Sequence, residues 1–205
     1  MRSKILSKRS ALVALLLAVA ALAAAAIGAA IGREAPAALG RAAGTPDALP
    51  RGAQGIGMLK AGESRRVAEF SAAGGPRAVY LTRTEDGKLV CVWDTDLMTG
   101  AQGGGCNDAS DFFGGRAFTV SLAYDGGPAA SSIANARLVG VVTEAVSNLE
   151  VIYSSGRHAR LAISADRGFA YVVPDDYLKS GLEPIAVAAY DGSGTEIDRQ
   201  SIEVG

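Results

Sequence analysis

The chain is poor in the side chains that usually carry chemistry. Among 205 residues there are one histidine, His158, one tryptophan, Trp93, and two cysteines, Cys91 and Cys106. One histidine far from both cysteines leaves no zinc ligand set, and without C-x-x-C spacing the cysteines form no dithiol redox motif. No G-x-S-x-G elbow is present to supply His158 with a nucleophile. The glycine-rich run Gly100–Gly105 leads into Cys106-Asn107-Asp108 instead of a Lys-Ser/Thr pair, so it lacks the cation of a phosphate loop. No clustered basic stripe exists, which argues against nucleic acid as a partner. No motif implies a cofactor, and none is expected.

What the chain does have begins at its N-terminus. Arg2, Lys4, Lys8 and Arg9 lead into Ala11–Gly32, a segment with no charged side chain. A helix of about 20 apolar residues crosses a hydrocarbon core of roughly 30 Å. Cleavable secretory signals have a shorter apolar stretch, about 7–15 residues, so the length favours an uncleaved anchor. The small residues Ala24–Ala30 also satisfy an A-x-A cleavage rule, which keeps a secreted product open. Either way, the basic residues before the span hold residues 1–10 in the cytoplasm and send the C-terminal bulk outside. The expectation is a single-pass membrane protein with an extracytoplasmic domain, or a secreted one if the segment 11–32 is removed.

Residues 33–57, with Pro36, Pro46 and Pro50 among Ala and Gly, lack large apolar side chains and read as a flexible tether. Residues 58–205 suit one domain with a real core. Charge divides unevenly: residues 1–51 hold seven Lys/Arg against two Asp/Glu, and residues 52–205 hold thirteen against nineteen. An even pair of cysteines in an oxidising compartment reads as a disulfide, Cys91–Cys106, closing a loop with four glycines between Val92 and Gly105.

The domain reads as short strands punctuated by Gly, Asp, Asn and Ser. Arg77–Arg83 and Lys88–Trp93 flank Glu85-Asp86-Gly87, and Asp-Gly is a strong hairpin signal. Arg116–Tyr124, Ala136–Thr143, Leu149–Ser154, Arg157–Ser164, Phe169–Val173, Glu183–Tyr190 and Thr195–Val204 follow, with Val67–Phe70 as a further strand near the start. Alternation supports this, since Phe118, Val120 and Leu122 share one face and Ala117, Thr119 and Ser121 the other. One short helix is expected over Asp175–Leu182. The fold class is all-β.

Gly140-Val141-Val142, Val146, Leu149-Glu150-Val151, Gly156-Arg157 and Leu161, with Phe169–Pro174 and Ala188–Gly194 downstream, carry a resemblance. The segment Arg77–Val204 is similar to uncharacterised anchored or secreted proteins of high-GC bacteria. The resemblance implies an immunoglobulin-like antiparallel β-sandwich and no established activity. Trp93 stands two residues from Cys91, unlike the cysteine–tryptophan arrangement of antibody domains, so only the architecture carries over.

Candidate site residues are few. Asp94, Asp96, Asn107, Asp108 and Asp111 gather oxygen ligands near the cysteine loop and make weak calcium candidates, but their spacing departs from the D-x-[DN]-x-[DN]-G loop, and Asp and Asn are ordinary turn formers. Trp93, Phe112 and Phe113 are candidate partner-binding aromatics at a stapled tip, with burial over the sandwich end as the competing reading. His158 alternates with Arg160 on what reads as a solvated strand face. The expected function is a non-catalytic binding or structural role in the cell envelope, toward a protein or glycan. The alternative is a secreted hydrolase using His158 with a serine or carboxylate.

Overall fold

The computed structural model describes residues 36–55, 59–125 and 134–202. The apolar segment 11–32, expected to be an anchor or signal, lies outside these residues. Among the described residues no helix is long and apolar enough to cross a membrane.

The described chain is built mostly from antiparallel strands in three sheets. The first is a four-stranded meander of β1 (Leu59–Ala72), β2 (Gly75–Thr84), β3 (Leu89–Asp96) and β4 (Gln102–Asp108), in that order. The second sets β5 (Phe118–Asp125), β6 (Ala134–Val142) and β9 (Gly168–Val172) side by side. The third has the order β11-β10-β7-β8, from β7 (Asn148–Tyr153), β8 (His158–Leu161), β10 (Pro184–Tyr190) and β11 (Glu196–Ser201). One short helix, α1 (Asp175–Lys179), follows Pro174.

Local chemistry explains the turns. Gly87 takes a φ of +70° between β2 and β3, a conformation glycine adopts without steric cost. Asp86 secures that turn, its carboxylate accepting from the Lys88 N–H at 3.0 Å and the Thr84 hydroxyl at 2.7 Å. At the β10–β11 connection, the Asp191 carboxylate accepts from the backbone of Ser193 at 2.8 Å and Thr195 at 3.0 Å.

Strand parity shows how the sheets stack. Val79 and Leu81 of β2, Val90 and Val92 of β3, and Val139 and Val141 of β6 form one buried cluster, so the first sheet packs on the second. Leu138 and Val142 point the other way from β6 and are also buried. Leu149, Val151, Leu161, Val187 and Ala189 bury the third sheet's inner face. The Tyr153 and Tyr171 hydroxyls meet at 2.7 Å between β7 and β9, and the Gln200 amide donates to the Phe118 carbonyl at 2.6 Å. The second sheet is therefore the middle layer. On the β1/β9 side the first two sheets close tightly: a Cβ at Gly168 would lie 2.6 Å from the Val67 carbonyl oxygen, so only glycine fits there. Burying each large apolar side chain in these layers is worth roughly 1.5–3 kcal/mol.

Two expectations are corrected here. Residues 36–55 are not a free tether over their described length. They form three short 3-10 turns laid against the first sheet, with Ala38 in the apolar cluster and Asp47 buried. Few apolar groups hold them; polar chemistry does. The Arg41 guanidinium grips Asp47 at 2.6 and 2.7 Å and Asp166 at 3.0 Å, and the Asp47 carboxylate accepts from the Arg66 N–H at 2.8 Å. The second correction concerns the cysteine loop, whose distal half is strand β4 in unbroken register with β3. Its glycines hid it, because they lack the β-branched side chains that mark strands.

Candidate functional site

The first two sheets close where β1 meets β9, and β4 also touches β5 along part of its length. Between those two edge strands runs an open cleft of about 710 Å³. Gln102–Gly104 form one wall and Ser121–Tyr124 the other, with Arg77, Asp94, Asp96 and Arg137 at the floor.

The floor is an ion-pair chain built across both sheets. Asp94 on β3 accepts from Arg77 Nε of β2 at 2.7 Å and from Arg137 Nε of β6 at 2.8 Å. The Arg137 Nη1 also donates to the Asn135 carbonyl at 2.7 Å, and Arg77 Nη1 lies 3.6 Å from Asp96. The Asp94 and Arg137 side chains retain 1% and 3% of their exposure. Charges so deeply placed require partners, and each oxygen of Asp94 has one. The Thr99 and Met98 N–H groups, at 3.0 and 2.8 Å, hold the Asp96 carboxyl below the usual carboxylate range. Two cations offset two carboxylates, so this floor offers no net charge to a ligand.

The disulfide Cys91–Cys106 is formed, and joins residues directly opposed in the β3–β4 register. It ties one wall of the cleft to the sheet behind it. Trp93, two positions further on, is half-buried and donates its indole N–H to the Thr82 hydroxyl at 2.8 Å.

The remaining candidates are dispersed. Phe112 and Phe113 form no partner-binding tip. They are buried in the apolar cluster at 2% and 3% exposure, rings edge to face at 4.9 Å, because two adjacent phenyl groups gain more from the core than from solvent. The calcium candidates do not converge either. Asp94 is taken up by two guanidinium groups, Asp96 caps the turn after β3, and Asp108 accepts from the Ser110 backbone at 2.8 Å and hydroxyl at 2.6 Å. Asp111 is exposed in the following turn. Among the described residues no three His, Cys, Asp or Glu side chains gather as a metal site. His158 sits on β8 with its Nδ1 3.0 Å from Glu150 of β7 and its side chain 45% exposed.

Arg77 and Arg137 were missed from the sequence, although one signal was there. Arg137 shares parity with Val139 and Val141, Arg77 with Val79 and Leu81, and Asp94 with Val90 and Val92. Each charge thus continues an apolar strand face, where an unpaired ion is costly.

Fold and site together define an all-β protein with a disulfide-clasped edge strand and an open inter-sheet cleft. No protein-family model matches the chain, and neither does any curated protein.

Proposed function

We propose that the chain is an envelope protein, anchored by the segment 11–32 or secreted after its removal, whose folded part binds a protein or glycan without catalysing a reaction. One observation carries this reading: an open cleft lies between two sheet edges, and the ionisable groups in its floor are already engaged with one another. Groups poised for acid–base work need a free lone pair or proton near the substrate. Asp94 has neither.

Residues 118–201 support an immunoglobulin-like assignment for the last seven strands. Three strands (β5-β6-β9) face four (β11-β10-β7-β8), and the chain crosses between sheets after β6, β8 and β9. That two-sheet wiring supports reading the unit as an immunoglobulin-like sandwich, one without an inter-sheet disulfide, since both cysteines lie in the meander. The meander β1–β4 is then an added layer, and the cleft belongs to its junction with the sandwich.

The hydrolase alternative loses ground on geometry. His158 pairs with Glu150 on an exposed strand face outside the cleft, and among the described residues no serine hydroxyl bonds to it. A nucleophile–base–orienter set needs all three.

The test is cross-linking from intact envelopes, comparing the native chain with Ala123→Trp, which fills the cleft from the β5 wall. Adducts that form with the native chain and vanish with the variant support the reading. Identical adducts from both would refute it. The mass of the mature N-terminus separates anchor from cleaved signal.

A further inference from the structure

We infer that the cleft takes an extended, uncharged peptide segment, which adds to the free edge of β4 as a fifth strand of the first sheet. The inference rests on the binding reading above and names the ligand class.

The β3–β4 register fixes which backbone groups are free. The Asp96 N–H donates to the Ala101 carbonyl at 2.9 Å, and the Ala109 N–H to the Lys88 carbonyl at 2.7 Å. The register between these two bonded pairs is unbroken. Antiparallel ladders alternate bonded and unbonded pairs, so residues 103, 105 and 107 bond inward to β3. The N–H and C=O groups of Gln102, Gly104 and Cys106 then point outward, whereas the Asp108 carbonyl is taken by the Asp111 N–H at 3.3 Å. Among the described residues no strand but β3 pairs with β4.

Natural proteins blunt such an edge with Lys, Pro, a bulge or a covering element. β4 has no Lys, no Pro and no break in register, and Gly103–Asp108 are exposed. Cβ atoms added at Gly103 and Gly105 would meet nothing within 4 Å, so that face of β4 is open beside them. The disulfide at Cys106 holds this edge extended before any partner arrives, which lowers the ordering cost of binding. Strand addition draws its affinity from main-chain hydrogen bonds of this kind.

The occupant is a single strand from a partner chain. A second copy pairing edge to edge would bring a whole sheet, and the β5 wall, Ser121–Tyr124, stands in its way. The floor sets side-chain chemistry: with Asp94 held between Arg77 and Arg137, a charged ligand side chain finds no open counter-ion. Of β4 only Gln102–Gly104 line the cleft, so the ladder with a seated peptide is short.

The experiment pans a phage library of random linear octapeptides against the full chain in mild detergent, and measures synthetic copies of enriched peptides by fluorescence anisotropy. Binding should fall at least tenfold on the double variant Gly103→Lys/Gly105→Lys, whose fold is checked by circular dichroism. It should fall as much when the peptide is N-methylated at alternate residues of one parity, and little at the other parity. If no peptide enriches, if the lysine variant binds equally, or if both parities respond alike, strand addition is wrong. A dimer in sedimentation that the lysine variant dissolves also overturns it, in favour of a second copy. A glycan panel run beside it separates the two levels. Glycan binding lost in Ala123→Trp sinks strand addition and keeps the cleft as a binding site, whereas no cleft-dependent binding of either kind sinks both.

Discussion

Asp94 of β3 and Arg137 of β6 join opposite sheets through a 2.8 Å hydrogen bond, with both side chains almost wholly out of water. This contact, shared with Arg77, carries the ion-pair chain of the cleft floor from one sheet to the other.

Removing one member of that chain should be costly. Asp94→Leu removes the carboxylate that two buried guanidinium groups share, and breaking such pairs typically costs about 3–5 kcal/mol. Replacing all three with Met or Leu should restore most of that loss, because the desolvation of the ions disappears along with their attraction. Urea unfolding of the single and triple variants checks both outcomes, and a triple variant as unstable as the single would contradict this account.

The disulfide closes a loop with a sequence separation of 15. Cys91→Ser/Cys106→Ser should destabilise the fold by about 3 kcal/mol, the chain-entropy expectation for a loop of that size. Denaturant midpoints of the native and double-serine chains provide the comparison, and the same drop should follow when the native chain is reduced.

Phe112→Ala and Phe113→Ala should each cost about 3–5 kcal/mol, as for phenylalanine deleted from a packed core. Were these rings a solvent-facing tip, each change would fall within about 0.5 kcal/mol. Chemical denaturation distinguishes the two.

The strap formed by residues 36–55 should be acid-sensitive. Arg41, and then the Gly44 and Arg66 N–H groups, hold the Asp47 carboxyl well below the ordinary carboxylate range. A depressed folded-state pKa gives stability that is present above the unfolded value, about 3.9, and is lost as pH falls toward the folded one. Pepsin, which is active in acid, should cleave at Leu49 once the strap is released. In Arg41→Ala the acid transition should move up toward the ordinary carboxylate pKa; an unmoved transition would mean that Arg41 does not hold Asp47.

Much of the fold was legible because its signals are local. Asp86-Gly87 and Asp191–Gly194 carry their turns in their own side chains and backbone, and the alternation through Phe118–Leu122 and Val139–Val142 marks faces directly. The strand β4 was not legible, since Gly103-Gly104-Gly105 has no propensity of its own and is extended only by β3 and the disulfide. The strap was misread for a related reason. Its order comes from Arg41 reaching Asp166, a partner 125 residues away. The cleft floor likewise depends on contacts between Arg77, Asp94 and Arg137 that only the stacking of sheets creates, although each charge stood in line with valines or leucines on its strand.

The Cys91–Cys106 clasp also makes the two banks of the cleft mechanically unequal. A covalent rung forbids β4 from sliding along β3, whereas β5 is tied to β6 by a ladder that loses its register near Ala123. Any widening to admit a guest therefore falls to the Ser121–Tyr124 bank, and the clasped bank keeps its spacing as a fixed ruler.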